Sequence, residues 1–310
     1  MSDRNRYTAD IDLRNVNDSH AFAVASVPAR STVLDVGAAD GSVARVLSQM
    51  GCQVWGIELD PGSAEEAQKW CEHVVVGDVE ELDLKAALDH TFDVILFLDI
   101  LEHLRDPLSV LRNSLDLLDD RGYVVISLPN VAHAAMRAQL LTGRFAYTDT
   151  GLLDRTHLRF FDPVSVREFL FDAGLVILDE SEVTFPLGGT EIPVVSEDLS
   201  EELLAQLDKE PGADTYQFLF IAAPAGSATA EDPPFLPARV LQRALRDSLS
   251  QMEQMEQMEQ MGRQGDTVMR SDVLTELTAL RAQSDQRRGV LRELLECSRR
   301  NTDRLVNELK

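Results

Sequence analysis

Short apolar runs alternate with amphipathic stretches from Ser31 to Ala222. Ser31–Val36 (STVLDV), Gln53–Glu58 (QVWGIE), Val74–Val76, Phe92–Leu98 (FDVILFL) and Tyr123–Leu128 (YVVISL) read as strands. Ser42–Met50, Pro61–Cys71, Pro107–Leu118 and Val131–Leu141 carry helical spacing between or after them. Asp162 and Pro163 open a further helix that ends at Ala173, with Gly174 just beyond. Leu175–Val183 and Thr215–Ala222 read as the last two strands, parallel or antiparallel, with an acidic helix (Glu197–Lys209) between them. Nearly continuous apolar strands alternating with helices predict an α/β fold. The expected core is a seven-stranded, mostly parallel sheet covered by helices on both faces.

The pattern changes at both ends. Residues 1–19 are polar and weakly periodic, and a short apolar helix is expected at 20–28. Residues 225–237 have linker composition. Residues 238–310 read as a helical, coiled-coil-like C-terminal extension. Met252, Met255, Met258 and Met261 repeat every three residues, so they drift around a helix instead of holding one seam. Val273, Leu277 and Leu280 precede Val290, Leu291, Leu294 and Leu295 on a better-formed face. This tail is expected to serve homo-oligomerisation or docking of a protein partner. The expected organisation is therefore an N-terminal segment (1–19), one domain (20–224), a linker and a tail.

Charge narrows the partners. The net charge of −24 is concentrated in residues 1–225, which carry 39 acids and 16 bases. A chain that reads phosphates usually shows a basic field, so nucleic acid is not expected. Cys52, Cys71 and Cys297 are too scattered for a disulfide framework or a metal pair. The N-terminus is polar and no run reaches 18 apolar residues, so no signal peptide or transmembrane segment is expected, and a cytoplasmic location is.

The strongest local motif is LDVGAADG, a strand, a glycine turn and a helix start. Glycines let a ligand approach the backbone, and the helix start offers unpaired N–H groups. Glu58 closes the next strand, where a carboxylate can accept both ribose hydroxyls. Together they indicate a nucleoside without saying which, because dinucleotide sites use the same geometry. The G-x-G-x-x-G pattern is absent, which places an oxidoreductase last.

The ordered series is more specific. Asp35-Val-Gly37-Ala-Ala-Asp-Gly41, then Glu58, then Gly77-Asp78-Val79-Glu80, then Phe92–Ile95 leading into Asp99-Ile-Leu-Glu102-His103-Leu-Arg-Asp106-Pro107, then Gly122 and Tyr123–Leu128, resembles the class I S-adenosylmethionine (SAM) methyltransferases. The branch it resembles holds the ubiquinone-biosynthesis and small-molecule O-methyltransferases. The resemblance covers about residues 20–224 and implies a Rossmann-like sheet with SAM as cofactor. It implies cofactor contacts at Asp35, Gly37, Ala38 and Gly41 in the first motif. It further implies Glu58 and Leu59 at the ribose, Asp78 and Val79 at the adenine, and Asp99 in the fourth motif. Ala39 stands where many members have glycine.

Methyl transfer to oxygen needs an aligned acceptor and a proton acceptor. His103, His133 and His157 all follow strand ends, where ligands bind in open α/β folds. His157 or His103 is the expected base, with Asp154 orienting a histidine or an acceptor hydroxyl. His133, Tyr147, Arg155 and Arg159 are the candidates for acceptor binding, although both arginines could equally pair with the protein's own acids. Gly143–Asp162 resembles a subset of these enzymes associated with bacterial glycan or natural-product biosynthesis, which implies a small-molecule or glycan acceptor. Asp99, Glu102, His103 and His157 could also be grouped around a divalent ion, but no metal is expected. A non-catalytic SAM-fold protein that docks a partner through its tail is the alternative function.

Overall fold

The computed structural model describes residues 11–12, 15, 17–193 and 199–231. The tail helices expected at 238–310 lie outside the described residues, as does most of the N-terminal segment. The first helix, α1 (Ser19–Ala25), is capped by Asp18, which accepts the Ala21 N–H at 2.8 Å. Then come β1 (Thr32–Val36), α2 (Ser42–Gln49), β2 (Gln53–Glu58), α3 (Pro61–Ala67) and β3 (His73–Val76). After these follow α4 (Leu84–Leu88), β4 (Phe92–Leu98), a 3₁₀ turn (Leu101–His103), α5 (Pro107–Leu115) and β5 (Leu118–Pro129). The chain continues with α6 (Ala134–Leu141), α7 (Ser165–Asp172), β6 (Leu175–Thr184), α8 (Glu201–Leu207), β7 (Thr215–Pro224) and α9 (Ala228–Glu231).

The seven strands form one sheet in the order β3-β2-β1-β4-β5-β7-β6. The first five are parallel, and β7 runs antiparallel to both β5 and β6. The orientation of the last pair, which periodicity left open, is therefore antiparallel. Leu34, Val94, Ile95, Leu96, Phe97, Val124 and Ile126 are fully buried, because strands covered on both faces have no polar side to show. Tyr123 ties α1 to the sheet by donating its buried hydroxyl to the Ser26 carbonyl at 2.7 Å.

Aspartates start several helices. Asp60, Asp83 and Asp106 each accept an N–H from the first turn of α3, α4 and α5, and Pro61 and Pro107 follow two of them. Such caps remove part of the unpaired-donor cost of a helix start.

Several bounds differ from the expectation for physical reasons. α3 stops at Ala67, not Cys71, because the chain turns there so that the Glu72 N–H can reach the Val54 carbonyl at 2.8 Å. α5 ends at Leu115, since Leu117 already accepts the Phe92 N–H and β5 starts at Leu118. α6 begins at Ala134 because Val131 instead donates to the Phe161 carbonyl at 2.9 Å. Asp162 does accept N–H groups, from Val164 and Ser165, but in a turn just ahead of α7. The acidic helix expected at 197–209 is the shorter α8, started by Ser200. Within the expected linker, α9 follows β7 directly and Thr229 is fully buried.

Candidate functional site

The ends of β1 to β4 bring Gly37, Glu58, Asp78 and Asp99 to one edge of the sheet, across the strand-order switch between β1 and its neighbours. At the end of β1, Gly37 and Ala38 donate their N–H groups to the Ile57 carbonyl at 2.8 and 3.0 Å. The turn then needs left-handed backbone at three positions: Gly37 (φ 80°), Ala39 (φ 47°) and Gly41 (φ 80°). Alanine at position 39 thus occupies a conformation in which glycine carries no Cβ penalty. A Cβ at Gly37 would stand 3.1 Å from Ile100 Cδ1, and one at Gly41 would stand 2.8 Å from Ala67 Cα.

Glu58 holds this turn directly. Its Oε2 accepts the Ala39 N–H and its Oε1 accepts the Asp60 N–H, both at 2.8 Å. Each carboxylate oxygen keeps acceptor capacity for a ribose hydroxyl. Leu59, next to it, is 67% exposed, an apolar surface suited to a purine face. Asp35 is buried beneath the turn. Burial first, and then the Glu58 charge, push its carboxyl up from 3.8 to about 7.

The loop after β3 is fastened to the loop that follows the 3₁₀ turn. Asp78 accepts the Glu80 N–H at 2.9 Å and an Arg105 N–H at 3.2 Å. Glu80 takes the Arg105 Nε–H at 3.0 Å and the Asp106 N–H at 2.7 Å. Val79 between them is half-buried. Asp99 has a positive φ of 52°, and its Oδ1 accepts from Ser127 Oγ and Gln217 Nε2, both at 2.8 Å. The donor set therefore fits SAM: a carboxylate with acceptor capacity to spare, a left-handed glycine turn, and an exposed apolar neighbour. Besides the buried Asp35, a second exception among the expected contacts is Ala38. It is 5% exposed, packs with Ala64, Ala67 and Val74, and has its N–H committed to Ile57.

On the acceptor side, the 143–161 insert lies against the 3₁₀ turn. The Glu102 carbonyl accepts the N–H groups of Leu158 at 2.8 Å and Arg159 at 2.9 Å. A small core of Ala135, Met136, Leu152, Leu153 and Ile192 anchors the insert from below. Glu191 adds polar ties, accepting the Leu152 N–H at 2.6 Å and the Tyr216 hydroxyl at 2.9 Å.

This docking brings His103 and His157 together, with ring centroids 4.7 Å apart in an edge-to-face arrangement. His157 is 9% exposed, and its Nε2 lies 3.9 Å from Glu102 Oε1, beyond hydrogen-bond reach. Glu102 Oε2 and His157 Nδ1 are buried without hydrogen-bond partners. Burial and the nearby Asp99 charge push the Glu102 carboxyl well above the usual range. Burial and the neighbouring His103 push the His157 imidazole below its usual value. Both effects favour the neutral forms. His103 is half-buried, and its Nδ1 lies 3.1 Å from Thr156 Oγ1 and 3.3 Å from the Thr156 carbonyl oxygen. Asp154 is 2% exposed and holds Thr156, accepting its N–H at 2.8 Å and its hydroxyl at 2.6 Å.

One carboxylate and two imidazoles are a donor set suited to a divalent ion, and ligand atoms of Glu102, His103 and His157 lie within 4.8 Å of one another. Around a four-coordinate ion with bonds of about 2.0–2.1 Å, ligand atoms sit only ~3.3 Å apart, so these side chains would have to close in.

The remaining candidates separate. His133 is fully buried and caps α6. Its Nδ1 accepts the Ala135 N–H at 3.1 Å and its Nε2 meets the Phe185 carbonyl at 2.9 Å, so neither nitrogen is open to an acceptor. Arg155 pairs with Asp149, and Arg159 donates to the Arg105 carbonyl. Tyr147 is 55% exposed and packs edge-on against Phe145, which also meets Phe160. Sequence reading passed over Glu102 as a buried partner, Thr156, and the Ser127–Gln217 pair that holds Asp99. The position of Ser127 at the end of an otherwise apolar strand was the available signal for that pair.

A mostly parallel sheet with a glycine turn, a carboxylate at the end of β2 and two further acids along one edge is the arrangement of a nucleoside-cofactor enzyme of the α/β class. A family model described as a methyltransferase domain matches residues 7–180. The chain belongs to this family and is a SAM-dependent methyltransferase. It is 28% identical over 162 residues to the ubiquinone biosynthesis O-methyltransferase of Xanthomonas axonopodis pv. citri (strain 306), covering 51% of this chain and 68% of that protein. It is 27% identical over 167 residues to the tRNA 5-carboxymethoxyuridine methyltransferase of Escherichia coli (strain K12), covering 50% of this chain and 64% of that protein. Among solved structures, magnesium protoporphyrin IX methyltransferase from Synechocystis PCC 6803 is 17% identical, with a TM-score of 0.46, over 68% of this chain and 83% of that one.

Proposed function

We propose that this chain transfers a methyl group from SAM to a hydroxyl of a small-molecule or glycan acceptor, with His103 as the proton acceptor. When bound, SAM supplies an electrophilic methyl group. Glu58, Leu59 and the Gly37–Gly41 turn hold the nucleoside, and Asp78 with Val79 faces its base. The acceptor lies between this edge and the 143–161 insert. The exposed aromatic face of Phe145, Tyr147 and Phe160 suits a small ring system, sugar or otherwise. His103 takes the proton that the acceptor hydroxyl loses as the new bond forms. Asp154 acts at one remove, and His157 packs behind.

The observation that supports His103 is its accessibility beside the nearly closed His157 and the fully engaged His133. The concentrated negative charge of residues 1–225 disfavours a polyanionic acceptor, so the tRNA substrate of the E. coli relative is not carried over. No helix among the described residues is long and apolar enough to cross a membrane, and an acceptor dissolved in the cytoplasm suits the reading.

The test is a panel of monosaccharides, nucleotide sugars and phenols incubated with the full-length protein and SAM. S-adenosylhomocysteine release and mass spectrometry of the product are followed. The reading expects a methyl ether, and a lower kcat in His103→Gln. A methyl group found on nitrogen or carbon overturns the oxygen assignment, and an unchanged kcat overturns the base.

A further inference from the structure

We infer that Thr156 is a positioning residue that holds His103 as its Nδ1–H tautomer and leaves Nε2 as the bare nitrogen. This deepens the assignment of His103 as base and rests on that reading for its functional meaning.

The argument is one of donors and acceptors. Thr156 Oγ1 and Asp154 Oδ1 are 2.6 Å apart. That separation needs a proton between the oxygens, since two facing lone pairs repel. Asp154 does not supply it. The same Asp154 Oδ1 accepts the Thr156 N–H at 2.8 Å, so this oxygen presents lone pairs to the loop and no proton. The Thr156 hydroxyl therefore donates to Asp154 and has only lone pairs left for other neighbours.

His103 Nδ1 faces that oxygen at 3.1 Å and the Thr156 carbonyl oxygen at 3.3 Å. Both are acceptors, so Nδ1 must carry the hydrogen. A neutral imidazole has one N–H, and the hydrogen bond at one nitrogen decides the state of the other. Nε2 is then the basic nitrogen in every neutral molecule, instead of in a fraction of a tautomeric mixture. The insert thus contributes more than an acceptor wall, because Thr156 comes from a segment 53 residues away and sets which nitrogen of His103 reacts. Asp154, expected to orient a histidine or an acceptor hydroxyl, acts on His103 through the Thr156 hydroxyl.

The test uses ¹⁵N-labelled full-length protein and long-range ¹H–¹⁵N correlation spectra at a pH where imidazole is neutral. His103 signals are assigned by their loss in His103→Gln. The expected result is a protonated Nδ1 and a bare Nε2 in the wild type, a raised Nε2–H fraction in Thr156→Val, where only the longer contact to the main-chain carbonyl remains, and the wild-type tautomer again in Thr156→Ser. Calorimetry with SAM shows that each variant is folded. An Nε2–H tautomer in the wild type overturns the inference, as does a Thr156→Val spectrum identical to the wild type. Wild-type turnover by His103→Gln in the acceptor panel sinks the base assignment alone and leaves the tautomer result standing, so the two failures are separable.

Discussion

Glu58 accepts the backbone N–H of Ala39 across the cofactor edge, 2.8 Å from Oε2 to nitrogen. One carboxylate therefore shapes the glycine turn, and the proposed reading gives it the ribose as well. Glu58→Ala is expected to weaken SAM binding by at least about tenfold, since charge-assisted hydrogen bonds contribute roughly 1.5–3 kcal/mol each. Titration calorimetry checks this, and an unchanged Kd would remove the ribose assignment.

Gly41 combines a left-handed backbone with the close approach of α3, where a Cβ would stand 2.8 Å from Ala67 Cα. Gly41→Ala is expected to destabilise the fold by about 2–3 kcal/mol, through backbone strain and forced separation of α2 from α3. The urea midpoint reads this out directly. A midpoint within error of wild type would show that the turn has room to give.

Asp35 predicts a pH dependence. Its folded pKa of about 7 lies above the usual 3.8, so the folded state holds a proton that the unfolded state has released. Stability from this group is present at acid pH and declines as pH rises from about 4 to about 7. Glu102 contributes in the same direction, while His157, with its lowered pKa, contributes the opposite slope below its usual titration range. The comparison that isolates Asp35 is Asp35→Asn. Its denaturation midpoint should fall less steeply than wild type across that window, and parallel curves would contradict the assignment.

His133 caps α6 and bridges to the Phe185 carbonyl. His133→Ala is expected to cost about 2 kcal/mol of stability through the lost cap and an unpaired buried carbonyl. SAM affinity should stay unchanged in the same variant. A stable variant with an altered acceptor KM would return His133 to the binding site.

The fold around the glycine turn was legible because its signals are local. β2 and β4 keep their expected bounds, since their apolar runs end abruptly at Glu58 and Leu98. The glycine turn and its helix lie within one short stretch of chain. α4 was missed because Leu84–Leu88 is too short to show a helical period. The start of β5 was missed because Asp119, Asp120 and Arg121 give an exposed, polar entry to an otherwise apolar strand. The acceptor half depends on contacts between distant segments. Nothing in the residues around Glu102 announces that its carboxyl is sealed beneath His157. Likewise, a threonine in a loop looks the same on paper whether or not an imidazole faces it.

The Glu102 carbonyl that receives Leu158 and Arg159 has a consequence for how such an enzyme can diversify. The fastening is main chain to main chain, so it is indifferent to which side chains the insert displays. Phe145, Tyr147, Leu158 and Phe160 can be exchanged while the segment keeps its seat on the 3₁₀ turn. Selectivity can then drift by replacement of a few exposed residues, and libraries confined to those positions should retain folded, SAM-binding members while their acceptor range changes.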